Sequence, residues 1–331
     1  MHLRPKLELT TPMPDCTLLI LFNELVEELK QPHLQIKSIR KIKALIQEND
    51  DHKERMNDAG VASLVVSLIA EIDDPQEISE TNDISIFIDE AISVLYLLKL
   101  PDERLKTLSE DRNGLFVESL CAIMIKHASY QARIQAALLL KTIFRVVDDI
   151  YKSKLKAELF EGITEILKDQ NSVRASMAVL SILVQVLPLD RNRIKAIEAG
   201  VVSVLVELLV ESNESRVCEI MLGVLDQLCR RAEGRVAFLA HPMGIAAVCH
   251  KILRVSNTAN DKAMNVLLSV FRFCNSGTIA QELMEVGGVT KMCVVVQVER
   301  SLKNKEKARE ILGLHLKRWS KSPCFPSSFI A

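Results

Sequence analysis

The chain has 331 residues, of which 48% are hydrophobic, 26% are charged and only 4% are aromatic. Glycine and proline are scarce (11 and 10), which favours packed helices over a fold rich in turns and strands. The formal net charge is -1 at pH 7, so no global charge favours binding to nucleic acid.

The N-terminal residues 1–15 contain three prolines and no helical periodicity, and we interpret them as a flexible tail. They lack the apolar core of a signal peptide, which predicts a protein of the cytoplasm or the nucleus. Two amphipathic helices are predicted next, at about 16–30 and 33–47. The acidic stretch 71–83 interrupts the helical pattern further on and is predicted to be a loop insertion.

The clearest structural unit of the sequence lies at 192–235. A short helix at 193–198 is followed by a break at Gly200, a second helix at 201–210 and a long third helix at 215–231. Short helix, glycine corner, middle helix and long helix is the pattern of an armadillo repeat, whose units have about 40–47 residues.

Copies of this unit can be aligned along the whole chain. Their predicted corners are Gly60, Gly114, Gly162, Gly200, Gly244 and Gly288. Because no single repeat can cover its own apolar faces, neighbouring repeats must stack on one another. The sequence therefore predicts an all-α fold, a right-handed α-solenoid of about six armadillo repeats over residues 16–320. A terminal capping helix is expected at 303–319, and residues 321–331 form a C-terminal tail.

A search for chemistry finds no phosphate-binding glycine loop and no HExxH or CxxC motif. The adjacent Cys249 and His250 fall on different faces of a helix, which indicates a core cysteine beside a surface histidine. We therefore predict no catalytic residues, no cofactor and no metal site.

The predicted concave surface, lined by the third helices, is a better candidate for function. Two positions of the repeat, three residues apart on one helical face, carry mostly polar side chains from residue 142 onward. They are Thr142, Arg145, Gln185, Gln227, Arg230, Ser269 and Arg272. We interpret these residues as a ladder that binds an acidic or polar segment of a protein partner. The alternative is that they are solvated side chains on exposed helix ends.

Several stretches carry a more specific resemblance. The C-terminal segment KAREILGLHLKRWSKSPCFPSS (307–328) resembles the ending of plant U-box E3 ubiquitin ligases with armadillo repeats. The segments DRNRIKAIEAGVVSVLVELL (190–209) and EGRVAFLAHPMGIAAVCHKILRVS (233–256) are similar to the same family. The resemblance implies that the armadillo array presents the protein substrate, while a separate U-box recruits an E2 enzyme.

The U-box pattern CPI…DPV…TYDR…W is not found in this sequence. We expect an E2 enzyme as a partner only if a U-box is supplied elsewhere, as for a fragment, a short isoform or a truncated gene model. The favoured function is substrate recognition in protein ubiquitination by a U-box ligase. The alternative is a ligase-independent scaffold or decoy that binds the same partners, and the sequence leaves open whether the chain itself transfers ubiquitin. No nucleic acid and no membrane insertion are expected.

Overall fold

The computed structural model describes most of the chain, namely residues 15–72, 83–127, 129–274, 276–319 and 325. In these ranges the backbone forms helices joined by short turns, and none of the described residues lies in a strand. The predicted tails and the predicted loop at 71–83 fall almost entirely outside these ranges. The chain divides into two compact units, Met1–Ala136 and Ala137–Ala331. None of the described helices combines the length and the apolar character needed to cross a membrane.

The helices of the first unit begin at Asp15. They are α1 (Asp15–Leu29), α2 (Gln35–Glu48), α3 (Asp50–Asp58), α4 (Val61–Ala70), α5 (Asp83–Leu98), α6 (Asp102–Glu110), α7 (Leu115–Lys126) and the first part of α8 (Tyr130–Val146). A 3-10 turn, Asp111–Gly114, joins α6 to α7.

The second unit continues from within α8. Its helices are α9 (Asp149–Ser153), α10 (Ala157–Asp169), α11 (Val173–Val186), α12 (Asp190–Glu198), α13 (Val201–Glu211), α14 (Ser215–Cys229), α15 (Ala232–Ala240), α16 (Gly244–Lys251), α17 (Asn257–Phe273), α18 (Gly277–Glu285), α19 (Gly288–Val298), α20 (Leu302–Leu314) and α21 (Leu316–Trp319).

From α3 onward the helices follow the predicted order of a short first, a second and a third helix. The six groups are α3–α5, α6–α8, α9–α11, α12–α14, α15–α17 and α18–α20. The N-cap residues of the six second helices are Gly60, Gly114, Lys156, Gly200, Met243 and Gly287. Successive caps are therefore 54, 42, 44, 43 and 44 residues apart. The six predicted repeats are confirmed, and α1 and α2 precede them.

One predicted corner is wrong. Gly162 is buried inside α10, and the connection before that helix ends at Lys156, which has an extended backbone. The apolar face of α10 continues through the glycine, with Leu159, Ile163 and Ile166 all buried. Burial of this face outweighs the cost of about 1 kcal/mol of a glycine in a helix interior.

Gly244 and Gly288 also lie at predicted corners, where close packing, and not a left-handed backbone, requires a glycine. Gly244 is the first residue of α16, and a Cβ atom there would lie 2.5 Å from the carbonyl oxygen of Phe238. Gly288 is the first residue of α19, and a Cβ atom there would lie 2.9 Å from the carbonyl oxygen of Leu283. The left-handed backbone of that last corner belongs to Gly287, with φ +71°. Close packing of two helices thus requires glycine at 244 and 288.

The third helices of the second unit form its continuous layer. Each of α11, α14 and α17 packs against the third helix that follows it, so that α14 lies against α17 and α17 against α20. Their inward positions are mostly apolar, as in Leu225 and Leu267, which are completely buried. This layer fixes the side chains of the candidate site.

The chain end also belongs to this layer. The predicted capping helix at 303–319 is two helices, because the backbone breaks at His315 (φ −130°, ψ 28°) between α20 and α21. Trp319 is fully buried, and its indole Nε1 donates a hydrogen bond of 3.3 Å to the carbonyl oxygen of Ala280. Its ring meets Phe271 edge-on, with 6.2 Å between the ring centres. The helix α21 therefore anchors the last repeat through one aromatic side chain.

We expect Trp319→Ala to lower the free energy of unfolding of the second unit by about 3–5 kcal/mol, because it leaves a large cavity. Trp319→Phe keeps most of the ring and loses the hydrogen bond to Ala280, so its loss should be nearer 1 kcal/mol. Urea unfolding followed by far-UV circular dichroism measures both. Equal effects of the two variants would contradict the packing role.

A pair of glycines in the fourth of the six repeats tests the corner geometry. Gly200 has φ +81°, whereas Gly223 is helical, and a Cβ atom added at either residue would have no neighbouring atom within 4 Å. Gly200→Ala should therefore destabilise the protein by about 1–2 kcal/mol through backbone strain alone. Gly223→Ala should stabilise it by about 0.5–1 kcal/mol. The same urea experiment should show opposite signs, and two shifts of one sign would refute the assigned corner.

Candidate binding site on the third helices

The seven residues of the predicted ladder all lie in the second unit, on four third helices or their caps. Thr142 and Arg145 are on α8, Gln185 is on α11, Gln227 and Arg230 are at the end of α14, and Ser269 and Arg272 are on α17. We call the solvent-facing side chains of α8 (from Ala137), α11, α14, α17 and α20 the third-helix face.

The two residues on α8 have different environments. The Thr142 hydroxyl donates a hydrogen bond of 3.1 Å to the carbonyl oxygen of Leu138 in its own helix. This bond uses the hydroxyl donor locally. Arg145 is exposed in the last turn of α8, where its positive charge is favourable near the helix C-terminus.

Two ladder residues join neighbouring third helices. Gln185 Nε2 donates to the carbonyl oxygen of Lys141 over 3.2 Å, which links α11 to α8. Ser269 Oγ donates to the carbonyl oxygen of Cys229 over 2.7 Å, which links α17 to α14. The Ser269 bond satisfies the carbonyl group of the last residue of α14, which has no partner within its own helix. These side chains therefore hold the layer together as well as lining its surface.

The glutamines leave acceptors unused. The Oε1 atoms of Gln185 and Gln227 are both enclosed, and neither has a hydrogen-bond donor among the described residues. Leaving an enclosed carbonyl oxygen without a donor costs about 1–3 kcal/mol. Their enclosure also keeps these oxygens out of reach of a partner in this arrangement.

Asp226 is a member of the site that the repeat register did not single out. Its side chain is only 6% exposed, and Oδ2 accepts from Asn265 Nδ2 over 3.1 Å and from Lys262 Nζ over 3.5 Å. Arg230 Nη2 lies 3.8 Å from the same oxygen. A carboxylate in the middle of the apolar run VLDQLC was the signal in the sequence, because a buried charge requires partners. The charge of Arg230 is thus partly balanced within its own helix.

Arg272 has a partner that the sequence did not reveal. Its Nη2 donates to Glu310 Oε2 over 2.6 Å, and its Nε also donates to Oε1 of that residue, which ties α17 to α20. Hydrogen bonds from Arg272 lower the pKa of Glu310, and the same bonds raise the pKa of Arg272. The bidentate pair makes Arg272 a connection between helices.

Phe273 was also missed. It is 68% exposed at the end of α17, and the guanidinium of Arg235 lies 4.4 Å from the centre of its ring. Arg235 is itself buried and donates to the carbonyl oxygens of Cys229 and Arg230, both over 3.1 Å. An exposed aromatic ring held by a fixed arginine is a typical anchor for a protein partner. No pattern in the sequence distinguishes it from a core phenylalanine.

The buried thiols do not supply chemistry. Burial raises the pKa of Cys229 and of Cys249 to about 12 each, so both thiols stay protonated at neutral pH. His250 is exposed beside the buried Cys249, as predicted. Cys218, Cys229, Cys249, Cys274 and Cys293 are free thiols, and the described histidines, cysteines and carboxylates form no cluster that could hold a metal ion.

The family profile of the plant U-box protein ARM repeat region matches residues 22–330 of this chain. Among curated proteins, the chain is 41% identical to the E3 ubiquitin-protein ligase PUB23 of Arabidopsis thaliana over 300 residues. That alignment covers 89% of this chain and 71% of PUB23. The chain is also 38% identical to PUB22 of the same plant, covering 92% of this chain and 75% of PUB22.

Solved structures show the same fold at low sequence identity. A structure of beta-catenin, from work on a phosphorylation switch in its interaction with cadherin, matches 91% of this chain and 53% of that chain. Its TM-score is 0.70 at 15% identity. A designed armadillo repeat protein matches 75% of this chain and 99% of its own, with a TM-score of 0.54 at 17% identity. The all-helical armadillo fold predicted from the sequence is therefore confirmed, and the chain belongs to the armadillo-repeat family of plant U-box proteins.

Proposed function

We propose that the third-helix face of the second unit binds an extended, acidic or polar segment of a protein, and that this segment belongs to a ubiquitylation substrate. One observation carries the proposal. At the ends of α14 and α17 the face combines an exposed arginine, Arg230, with an exposed aromatic ring, Phe273.

Each of these groups suits a different part of an extended segment. Arg230, whose side chain is 52% exposed, can pair with a carboxylate of the partner. Phe273 provides apolar area at the end of the row, where an aromatic side chain contributes most to affinity. Sequence preference would come from Arg230 and Phe273.

The family supports the role in ubiquitylation. PUB22 and PUB23 are E3 ubiquitin-protein ligases, and the present chain aligns with the larger part of each. We infer that the armadillo array selects the substrate, while an E2 enzyme takes part only through a U-box. Selection of a substrate needs a charged contact and an apolar anchor, and the third-helix face offers both in Arg230 and Phe273.

The binding proposal is tested with peptides selected from a random library displayed on phage, using the purified chain as bait. We expect the enriched peptides to be acidic and to contain an apolar residue. Arg230→Glu and Phe273→Ala should each weaken an enriched peptide at least about tenfold, because each removes one specific contact. Fluorescence polarisation measures the affinities.

Matched control variants change charge or apolar area elsewhere. Arg191→Glu alters an exposed arginine on α12, and Val236→Ala trims an exposed valine on α15. Both should leave the peptide affinity unchanged, and all four variants should keep the wild-type melting temperature within a few degrees. If Arg191→Glu weakened binding as much as Arg230→Glu, the effect would come from net charge. That result would contradict peptide binding at the third-helix face.

The ladder residue Arg272 should behave differently from Arg230. A double-mutant cycle with Arg272→Ala and Glu310→Ala should give a coupling free energy of about 0.5–1 kcal/mol in favour of folding, since the pair is bidentate but half-exposed. Because the pair lowers the pKa of Glu310, its contribution is present above the ordinary pKa of a glutamate and is lost as pH falls through the lowered one.

Urea unfolding at neutral pH and at an acidic pH well below the lowered pKa of Glu310 measures this coupling. The coupling should be absent at the acidic pH, where Glu310 is protonated. A coupling of the same size at both pH values would contradict the ion pair.

A further inference from the structure

A second candidate site lies on the second helices, away from the third-helix face. A surface pocket of about 380 Å³ is formed where α13, α16 and α19 pack side by side. Its walls are apolar, with Val210, Met243 and Val286. Its polar lining consists of His250, Arg254 and Lys291, which are all basic residues.

The three basic groups act on one another. Arg254 Nη1 is hydrogen-bonded to His250 Nε2. Because a guanidinium only donates, His250 must accept at Nε2 and is therefore neutral in this arrangement. Desolvation lowers the pKa of His250, and the charges of Arg254, Lys251 and Lys291 lower it further. Desolvation and the charge of Arg254 also lower the pKa of Lys291.

Carboxylates do not balance this charge. No Asp or Glu oxygen lies within ion-pairing distance of Arg254 or Lys291 among the residues that the structure describes. The carboxylate of Glu282 on α18 acts on the buried thiol of Cys249, and not on the histidine or the lysine of the pocket. Lys291 Nζ donates to the carbonyl oxygens of Cys249 (2.6 Å) and His250 (3.2 Å), which holds its charge at the end of α16.

The position of Arg254 is fixed by the turn that carries it. Leu253 adopts a left-handed backbone (φ +62°), which costs a residue with a side chain about 1–2 kcal/mol. Its N–H donates to Asn260 Oδ1 over 2.8 Å. Asn260 is buried and donates in turn to the buried Glu299 over 3.0 Å. The backbone that carries the arginine is therefore braced, so binding of a ligand has to order only the side chain of Arg254.

We propose that this pocket binds the phosphate group of a phosphorylated segment of a protein partner. Arg254 and Lys291 supply two positive charges at once. A phosphate would replace His250 Nε2 as the acceptor for Arg254, and the imidazole could then take up a proton and become a third donor. A dianion matches this capacity better than a single carboxylate does. The apolar walls would hold the side chain that carries the phosphate.

The test follows the imidazole of His250 by NMR in the full chain labelled at histidine, with His250→Gln to assign its signal. Inorganic phosphate should raise the pKa of His250, while sodium chloride at equal ionic strength should not. Arg254→Ala should abolish the rise, and Arg191→Ala should preserve it. The signal of His33, an exposed histidine of the first unit, should not respond to phosphate. No rise, or the same rise in Arg254→Ala, would overturn the site.

A second arm identifies the source of the phosphate. Arrays of peptides containing phosphoserine, phosphothreonine or phosphotyrosine are compared with the same peptides without phosphate. The wild-type chain should prefer phosphorylated members by about tenfold or more, and Arg254→Ala should lose that preference. If inorganic phosphate shifts His250 but no phosphopeptide competes with it, the pocket takes a free anion and the proposed partner is wrong. Arg230→Glu should leave these results unchanged, which separates this site from the third-helix face.

Discussion

The stacking of the third helices is the constraint on which the second unit depends. Each of these helices is apolar on the side that meets its neighbours, and α14, α17 and α20 bury that side only by lying next to one another. Close contact between successive helices also brings their polar groups within hydrogen-bond reach. The packing that forms the unit therefore also determines the partners of its surface side chains. Some of them, such as Ser269, bond to a neighbouring helix, and others remain available to a protein partner.

Periodicity explains why the fold could be predicted from the sequence. Burial recurs with the 3.6-residue turn of a helix and again with each repeat, so the sequence predicts most of the helices, their order and a corner at Gly200. The structure shows that this corner is left-handed. The wrong corner at Gly162 has a physical cause. A glycine is compatible with a turn or with a buried helix. At Gly162 the burial of the neighbouring Leu159, Ile163 and Ile166 favours the helix.

The candidate site was predictable only in part. The register correctly assigned its residues to four third helices, because that assignment needs only local periodicity. The register could not show that Arg272 pairs with Glu310, because the two residues are 38 positions apart and the sequence predicts the final helix to be a cap. Nor could it distinguish the exposed ring of Phe273 from a buried one. The contacts of a side chain with the next helix depend on how the two helices are offset. That offset cannot be predicted from the local sequence.

Two surfaces of different chemistry result. One, on the third helices, has an exposed arginine and an aromatic anchor, and the other is a basic pocket on the second helices. The central claim concerns the first. Its most direct test places residues 22–330 of this chain in PUB23 in place of the matched region and gives the chimaera a reporter protein that carries a library-selected peptide. The wild-type chimaera should ubiquitylate the reporter, and the combined Arg230→Glu and Phe273→Ala variant should do so at least about tenfold more slowly. Discharge of ubiquitin from the E2 enzyme to free lysine should be equal for both. Undiminished modification of the reporter by the variant would contradict substrate binding at this face.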